Sequence, residues 1–463
     1  MPADTQPATG PTTASPDDTV PTPPGDAAPS GDTVPSGAAA PIGGAAPSGA
    51  AAGKERSLFA NQGFRSVFAA AAVSTVGTQI SFLAIPLLAV VVLNATPAQV
   101  GALGVLRTIA FLLVGLPAGA WLDRMRRRGV MVVSDLARAV LLFSVPVAWW
   151  LDVLTIGQLY VVVLLAGVAT LFFDVAAQSY LPHVVGRERL TDANTKLQSW
   201  DAGAQVAGPS VAGYLVQLAS APLAVLIDAA TYLWSALFLA GVKNREPEPE
   251  RKVKRPLLGE IMEGIRFVFG HPLLRPIALV GAGTNLFITI AITMMPLMFT
   301  RVLHLSEGEL GLFFTFGGVG IFLGSFTAKR LAQRFGHGPA LWVVGLIAMP
   351  FGLLVPLINP GPWMWVAMCS WLLLTFRIGM NNVILVSFRQ RATPDRLLSR
   401  MNATMRFLMT GILAIGAALA GAIGQYAGIR TALWVAAIGL SVVWVPLFFS
   451  PLRRIRDLPS AES

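Results

Sequence analysis

Twelve apolar runs, each near the length a helix needs to cross a lipid bilayer, constrain what this chain can become. They lie at 65–93, 99–121, 130–151, 156–180, 194–218, 221–242, 275–300, 308–331, 339–358, 362–387, 402–427 and 429–450. A hydrocarbon core of about 30 Å takes about 20 helical residues, and a helix pairs its backbone polar groups within one segment. The sequence therefore predicts an all-α polytopic membrane protein with twelve transmembrane helices. The run at 362–387 fits least comfortably, because "NPGP" precedes it and Arg377 lies inside it. Only 13% of the 463 residues are charged, against about 25% in soluble domains.

The loops assign an orientation. Basic residues gather after every second span: Arg124, Arg126, Arg127 and Arg128; Arg187, Arg189 and Lys196; Lys243 through Arg255; Lys329, Arg330 and Arg334; Arg389, Arg391, Arg396 and Arg400. The alternate loops, such as "NATPA", "DVLT" and "SAP", are short and nearly free of them, with Arg301 and Arg430 as exceptions. Positive charge stays on the cytoplasmic side, so both termini are expected in the cytoplasm and the protein in the plasma (inner) membrane. Topology thus accounts for the formal charge of +10, and no nucleic acid partner is expected. The four histidines are scattered and Cys369 is the only cysteine, so neither a metal site nor an internal disulfide is expected.

Residues 1–57 are rich in Pro, Ala, Gly, Ser, Thr and Asp, with no Lys or Arg before Lys54. Such a segment buries too little to order itself. It reads as a disordered cytoplasmic tail without the basic start and apolar core of a secretory signal. Residues 58–242 form one group of six spans and 275–452 another, with a short tail at 453–463. The linker at 243–274 begins charged and proline-broken. From Leu257 to Phe269 its apolar residues recur at helical spacing, which suits a surface helix or a plain connector.

The two groups repeat one plan. "LTDANTKLQSWDAGAQVAGPSVAG" (190–213) aligns with "LSRMNATMRFLMTGILAIGAALAG" (398–421). One offset carries Gly203 to Gly411, Gly208 to Gly416 and Gly213 to Gly421, and Asp174 to Asn382. "GLPAGAWLDR" answers "GIFLGSFTAKR", but Asp123 becomes Ala328. Parallel repeats of six spans suit a transporter with alternating access.

On these stretches the chain resembles the major facilitator superfamily over roughly residues 60–455. "GAWLDRMRRR" is similar to its signature loop at Gly119, Asp123, Arg124, Arg127 and Arg128, with Arg126 where the family has glycine. "FFDVAAQSYLPHVV" and "APLAVLIDAATYLWSALFL", among others, resemble the drug-efflux branch that includes macrolide and enterobactin exporters. "AGAQVAGPSVAG" looks like the antiporter motif of exporters at Gly203, Gly208, Pro209 and Gly213, with Ala204 and Ala212 replacing glycines. The resemblance implies that the signature loop meets the start of the eleventh span. Asp123, Arg124 and Arg127, with Asp174 as partner of Arg127 and Arg406 nearby, would then latch the cytoplasmic side. An acid at a helix N-terminus gains about 0.3–1 kcal/mol. The alternative is that these charges only obey topology. The resemblance also implies that the antiporter stretch seals the halves against leak; a plain kinked packing face is the alternative.

Charges inside spans cost about 2.5–3.5 kcal/mol each on insertion scales, so they face a cavity or a partner. They are Arg107, Asp135, Arg138 and Arg377, with Asp228, Asp201 and Asp174. Asp135 and Arg138 are spaced to pair with each other; Asp228 pairs with Arg107 or another base, or carries a proton. No phosphate-binding loop for ATP exists. A proton gradient is therefore the expected energy source, no cofactor is expected, and the three candidate carriers are Asp228, Asp201 and Asp174. The superfamily's cavity is lined by spans one, four, seven and ten. Here they offer Gln79, Phe82, Phe172, Phe173, Asn285, Phe287, Met294, Met295, Trp371, Phe376, Asn381 and Asn382. Met and aromatic residues adapt to apolar molecules, and amides add hydrogen bonds.

The expected function is secondary active efflux of amphipathic, drug-like organic compounds by proton antiport. The protein is expected to work as a monomer in lipid and not as an enzyme. The alternatives are export of a siderophore or self-made metabolite, then a facilitator or importer of a small solute, then a membrane protein that transports nothing.

Overall fold

The computed structural model describes residues 58–122, 125–186, 188–242 and 257–456. The expected tail at 1–57, Asp123 and Arg124 of the signature loop, the charged first part of the linker and the last seven residues lie outside them. The described chain is helical throughout. The first half holds α1 (Gln62–Leu87), α2 (Pro97–Leu122), α3 (Arg127–Trp150), α4 (Ile156–Val185), α5 (Leu190–Ala219) and α6 (Ala221–Ala240). The linker contributes α7 (Leu257–Gly270). The second half holds α8 (Leu274–Leu297), α9 (Glu307–Phe335), α10 (His337–Leu354), α11 (Pro362–Arg391), α12 (Asp395–Tyr426) and α13 (Ile429–Val442), followed by the short α14 (Val445–Phe448).

Eleven of these helices are long and apolar enough to cross a membrane. The twelfth span is α5, 30 residues long. Its hydropathy is lowered by Gln205, Ser210 and Gln217 among glycines and by a charged first third. Length and packing, rather than oiliness, make it a span. Arg377, the doubtful feature of the tenth run, sits inside α11 and is 1% exposed. Its guanidinium donates to the Leu440 carbonyl of α13 at 3.2 Å.

The repeat is visible in local geometry. Both α1 and α8 end on a proline, Pro86 and Pro296, followed by one π-helical turn, Leu88–Val92 and Met298–Val302. A proline removes a backbone donor and crowds the preceding turn, so the chain widens there. Each turn then reverses through a residue of positive φ, Asn94 at 51° and His304 at 52°. Reciprocal caps start the next helices. Thr96 and Gln99 exchange bonds of 2.8 and 3.3 Å, and Ser306 and Glu309 do the same. One offset relates every one of these pairs, and it also carries Gly101 to Gly311.

Within the first half α1 packs on α5 and α6, α3 on α4 and α6, and α2 on α4. The second half repeats this with α8 on α12 and α13, α10 on α11 and α13, and α9 on α11. Two extensive crossings join the halves, α2 with α12 and α5 with α9, with smaller contacts of α8 on α2 and α1. The amphipathic α7 packs on α8 and α12, with Gly264 against Thr404 and Glu263 in an ion pair with Arg400. Met262 and Phe269 on α7 stay exposed.

Candidate functional site

The two crossings behave differently along their length. At the end with few basic residues, backbones nearly touch. A Cβ on Gly101 would lie 2.6 Å from Gly421 Cα, and one on Gly213 would lie 2.5 Å from the Glu307 carbonyl and 2.9 Å from Gly311 Cα. Small residues allow such approach between helices in lipid. The described inter-half hydrogen bonds also lie from mid-depth to that end: Ala98 to Gln425, Arg301 to the Val90 carbonyl, and Ser210 with Thr315. Toward the arginine-rich end, Gly115 has no atom within 4 Å of an added Cβ, and Gly411 meets only Leu112 at 3.4 Å, while Gly203 opens on a groove between α1 and α5 of its own half. The molecule is sealed at one end and parted at the other.

The antiporter-like stretch takes part in this seal. Pro209 has no N–H to give the Gln205 carbonyl, and that carbonyl lies 2.8 Å from a Cβ added at Gly318 of α9. The Pro209 carbonyl itself presses on Gly311. Gly208 instead faces Gln79 of α1 within its own half, as Gly416 faces Leu286 and Thr289 of α8.

Above the parted end is a cavity of about 360 Å³, walled by α1, α2, α3, α4, α6, α8 and α9. Phe82, Leu103, Phe111, Ile292 and Phe314 make it apolar. Phe82 and Phe314 meet edge to face across the halves, 5.9 Å between centroids. Three ionisable side chains with embedded charge reach its wall: Arg107, Arg138 and Asp228.

Arg138 is engaged within the protein, although its Nε has no hydrogen-bond partner among the described residues. It is 4% exposed, ion-paired with Asp135, and lies between the Phe173 ring at 4.6 Å and the Tyr232 ring at 4.1 Å. Asp135 also accepts from Ser235 at 2.5 Å, tying α3 to α6. Asp228 is 0% exposed and has no ion-pair partner among the described residues. Ser81 donates to one carboxyl oxygen, and Thr231 donates to the other at 3.2 Å. One turn on, Tyr232 and Thr78 share a hydrogen bond of 2.9 Å. Arg107 is solvent-exposed within the cavity and stands over the Phe82 ring at 5.1 Å. It does not pair with Asp228. The other two candidate acids serve elsewhere. Asp201 accepts from Thr75 at 3.0 Å, joining α5 to α1. Asp174 lies half-buried within electrostatic reach of Arg138, Asp201 and, across the parted halves, Arg406.

Spans one, four and seven (α1, α4 and α8) wall the cavity as expected, α11 of span ten does not, and α2, α3, α6 and α9 complete it. Of the candidates, Phe82 alone lines it. Met294 and Met295 are 0% exposed, and Met294 fills the space beside Gly424. Trp371 is 2% exposed and stacks on Phe313 at 5.2 Å, its indole edge against Gly317. Asn285 donates to the Met409 carbonyl at 3.0 Å, Phe173 covers Arg138, and Gln79 covers Gly208. Phe287 packs on Gly439, and Phe172 stacks with Trp121 at 6.2 Å. The Phe376 carbonyl approaches Gly324; Asn381 is buried and Asn382 is exposed, both away from the described cavity. Large, flexible side chains on α8 and α11 fill gaps left by facing glycines, so they pack rather than line. The side chains missed at sequence level are Thr78, Ser81, Thr231 and Tyr232. Their signal was polar residues three apart or adjacent in two apolar spans that turn out to face each other.

The described bonds of Arg127 and Arg128 lie within their own half. Arg127 reaches the Ser179 carbonyl at 3.2 Å and His183, both on α4, rather than Asp174. Arg128 donates to the Leu239 carbonyl at 2.9 Å and to Ala240, closing the end of α6. A cation at a helix C-terminus is stabilising. Arg128→Gln is therefore expected to cost about 1–2 kcal/mol. Thermal unfolding of the purified protein should show a lower midpoint, with transport per folded molecule little changed. Gly119 lies in α2, next to Asp123 and Arg124 outside the described residues.

The sequence pattern of the Major Facilitator Superfamily matches residues 67–415. The multidrug efflux pump Tap of Mycolicibacterium fortuitum is 25% identical over 400 residues, covering 84% of this chain and 96% of that protein. The enterobactin exporter EntS of Salmonella choleraesuis is 26% identical over 411 residues, covering 87% and 96%. Among solved structures, a bacterial homologue of the iron transporter ferroportin in its inward-facing state superposes with a TM-score of 0.66 at 18% identity, covering 83% and 98%.

Proposed function

This chain belongs to the Major Facilitator Superfamily, and we propose that it exports amphipathic organic compounds across the plasma (inner) membrane in exchange for protons, working as a monomer. The observation that carries the reading is the apolar cavity between two repeated halves, sealed by glycine contacts at one end and approached from the other. With the arginine-rich end in the cytoplasm, as the charge pattern favours, the molecule faces inward and awaits cargo. The named activities of the relatives, multidrug efflux and enterobactin export, support the same direction.

In the opposite state the glycine crossings part and the arginine-rich end closes. Asp123 and Arg124 then meet the start of α12, with Asp174 and Arg406 brought closer than they are here. Asp228 is the carboxylate best placed to take and release a proton. It borders the cavity, holds neutral hydroxyl partners and forms no ion pair among the described residues, with Arg138 within electrostatic reach. A second reading, export of a siderophore or another self-made metabolite, is favoured by the enterobactin exporters among the relatives.

Inverted membrane vesicles containing the full chain provide the test. Energised vesicles should accumulate an amphiphilic dye, and a protonophore should abolish the accumulation. Accumulation indifferent to the protonophore would remove proton exchange, and no movement of any amphiphile would remove export.

A further inference from the structure

The chemistry of the cargo follows from the charge that the cavity leaves unused. Of the two arginines that line the cavity, Arg138 has a carboxylate partner within the protein and Arg107 has none among the described residues. Arg138 has Asp135 and two aromatic faces, while Arg377, buried away from the cavity wall, donates a hydrogen bond to the Leu440 carbonyl. Arg107 makes no hydrogen bond and no ion pair among the described residues. Its described contact is the face of Phe82 at 5.1 Å, and it is exposed to the cavity rather than to lipid. A guanidinium held in an apolar enclosure without an anion is a fork of donors without an acceptor. The acids nearby do not fill that role. Asp228 is fully buried behind Ser81 and Thr231, and Asp135 is taken by Arg138. The wall thus presents one bare cation beside the rings of Phe82, Phe111 and Phe314.

We infer that Arg107 is the site for the acidic group of the cargo, and that the exported compounds are aromatic organic anions, bearing a carboxylate, a sulfonate or a deprotonated phenol. The anion forms charge-assisted bonds with the guanidinium while its rings lie on the phenylalanines. The inference rests on the export reading and narrows its substrate class; a cavity built for organic cations would present a carboxylate where Arg107 stands.

Fluorescein and tetramethylrhodamine methyl ester share a xanthene skeleton and carry opposite charge. Their binding to the full-length protein in lipid nanodiscs, read by fluorescence anisotropy, is the test. The wild type should bind fluorescein the more tightly. Arg107→Gln should weaken fluorescein by about tenfold or more and leave the cationic dye unchanged or improved. Arg107→Lys, which keeps the charge, should retain most of the preference and shows that the fold survives substitution there. Equal binding of fluorescein by the wild type and Arg107→Gln, preference of the wild type for the cation, or binding of neither dye would overturn the inference. Vesicle transport separates the two levels of the argument. Fluorescein held through Arg107 but never moved would keep the site and sink export. Movement of the cationic dye alone would keep export and sink the site.

Discussion

Asp228→Asn is expected to uncouple the protein: vesicles lose uphill accumulation, while exchange of labelled for unlabelled cargo down its gradient continues. The reason is local. The Asp228 carboxyl is enclosed on α6 with Ser81 from α1 and Thr231 from its own helix, beside the cavity. Asparagine has the same size and keeps an oxygen for those hydroxyls, so packing changes little. What it removes is the choice between a charged and a neutral form. Coupling between two ligands is a free energy of about 1–3 kcal/mol, or about 5–150-fold in relative affinity. Its loss should lower gradient-driven accumulation by that order. The second half offers no substitute, since its spans contain no acid between Glu309 and Asp395. Unchanged accumulation in Asp228→Asn, with proton dependence intact, would place the exchange at Asp174 or Asp201.

Gly213→Val is expected to force the protein out of the conformation described here. An added Cβ would fall 2.5 Å from the Glu307 carbonyl and 2.9 Å from Gly311 Cα, both backbone atoms that cannot rotate aside. Overpacking of this kind costs about 1–3 kcal/mol. A two-state equilibrium then shifts by about 5–150-fold toward the state in which α5 and α9 separate. The readout is an impermeant thiol reagent added from the sealed side, with Thr293→Cys as the reporter in a Cys369→Ser background. Thr293 lines the cavity and Cys369 is the only native cysteine. Labelling should rise in Gly213→Val. Labelling equal to that of the unsubstituted protein would mean that the glycine contact does not hold this end shut.

Both substitutions rest on features of unequal visibility in the sequence. The spans were legible because lipid imposes length and apolarity on each. The glycine register was legible because Gly213 and Gly421 share one offset, and each meets its opposite number, Gly311 and Gly101. The Asp135–Arg138 pair followed from helical spacing. The cavity wall was not legible. A span that is apolar on every side does not reveal which face turns inward, and that rotation is set by distant partners. Met294 and Trp371 looked like cavity residues until Gly424 and Gly317 claimed them. Nothing in the α6 sequence shows that Asp228 meets Ser81 of α1 rather than Arg107. The π-helical turns after Pro86 and Pro296 were not legible either, because a widened turn has no compositional signature.

The α2–α12 and α5–α9 crossings have a mechanical consequence. One line of contact would let a half swivel freely, whereas two lines flanking the cavity leave a single axis of rotation. Along one degree of freedom, widening either mouth narrows the other. A carrier hinged in this way has no low-energy route to a through-pore, and ions are kept from slipping past the cargo by geometry rather than by a separate plug.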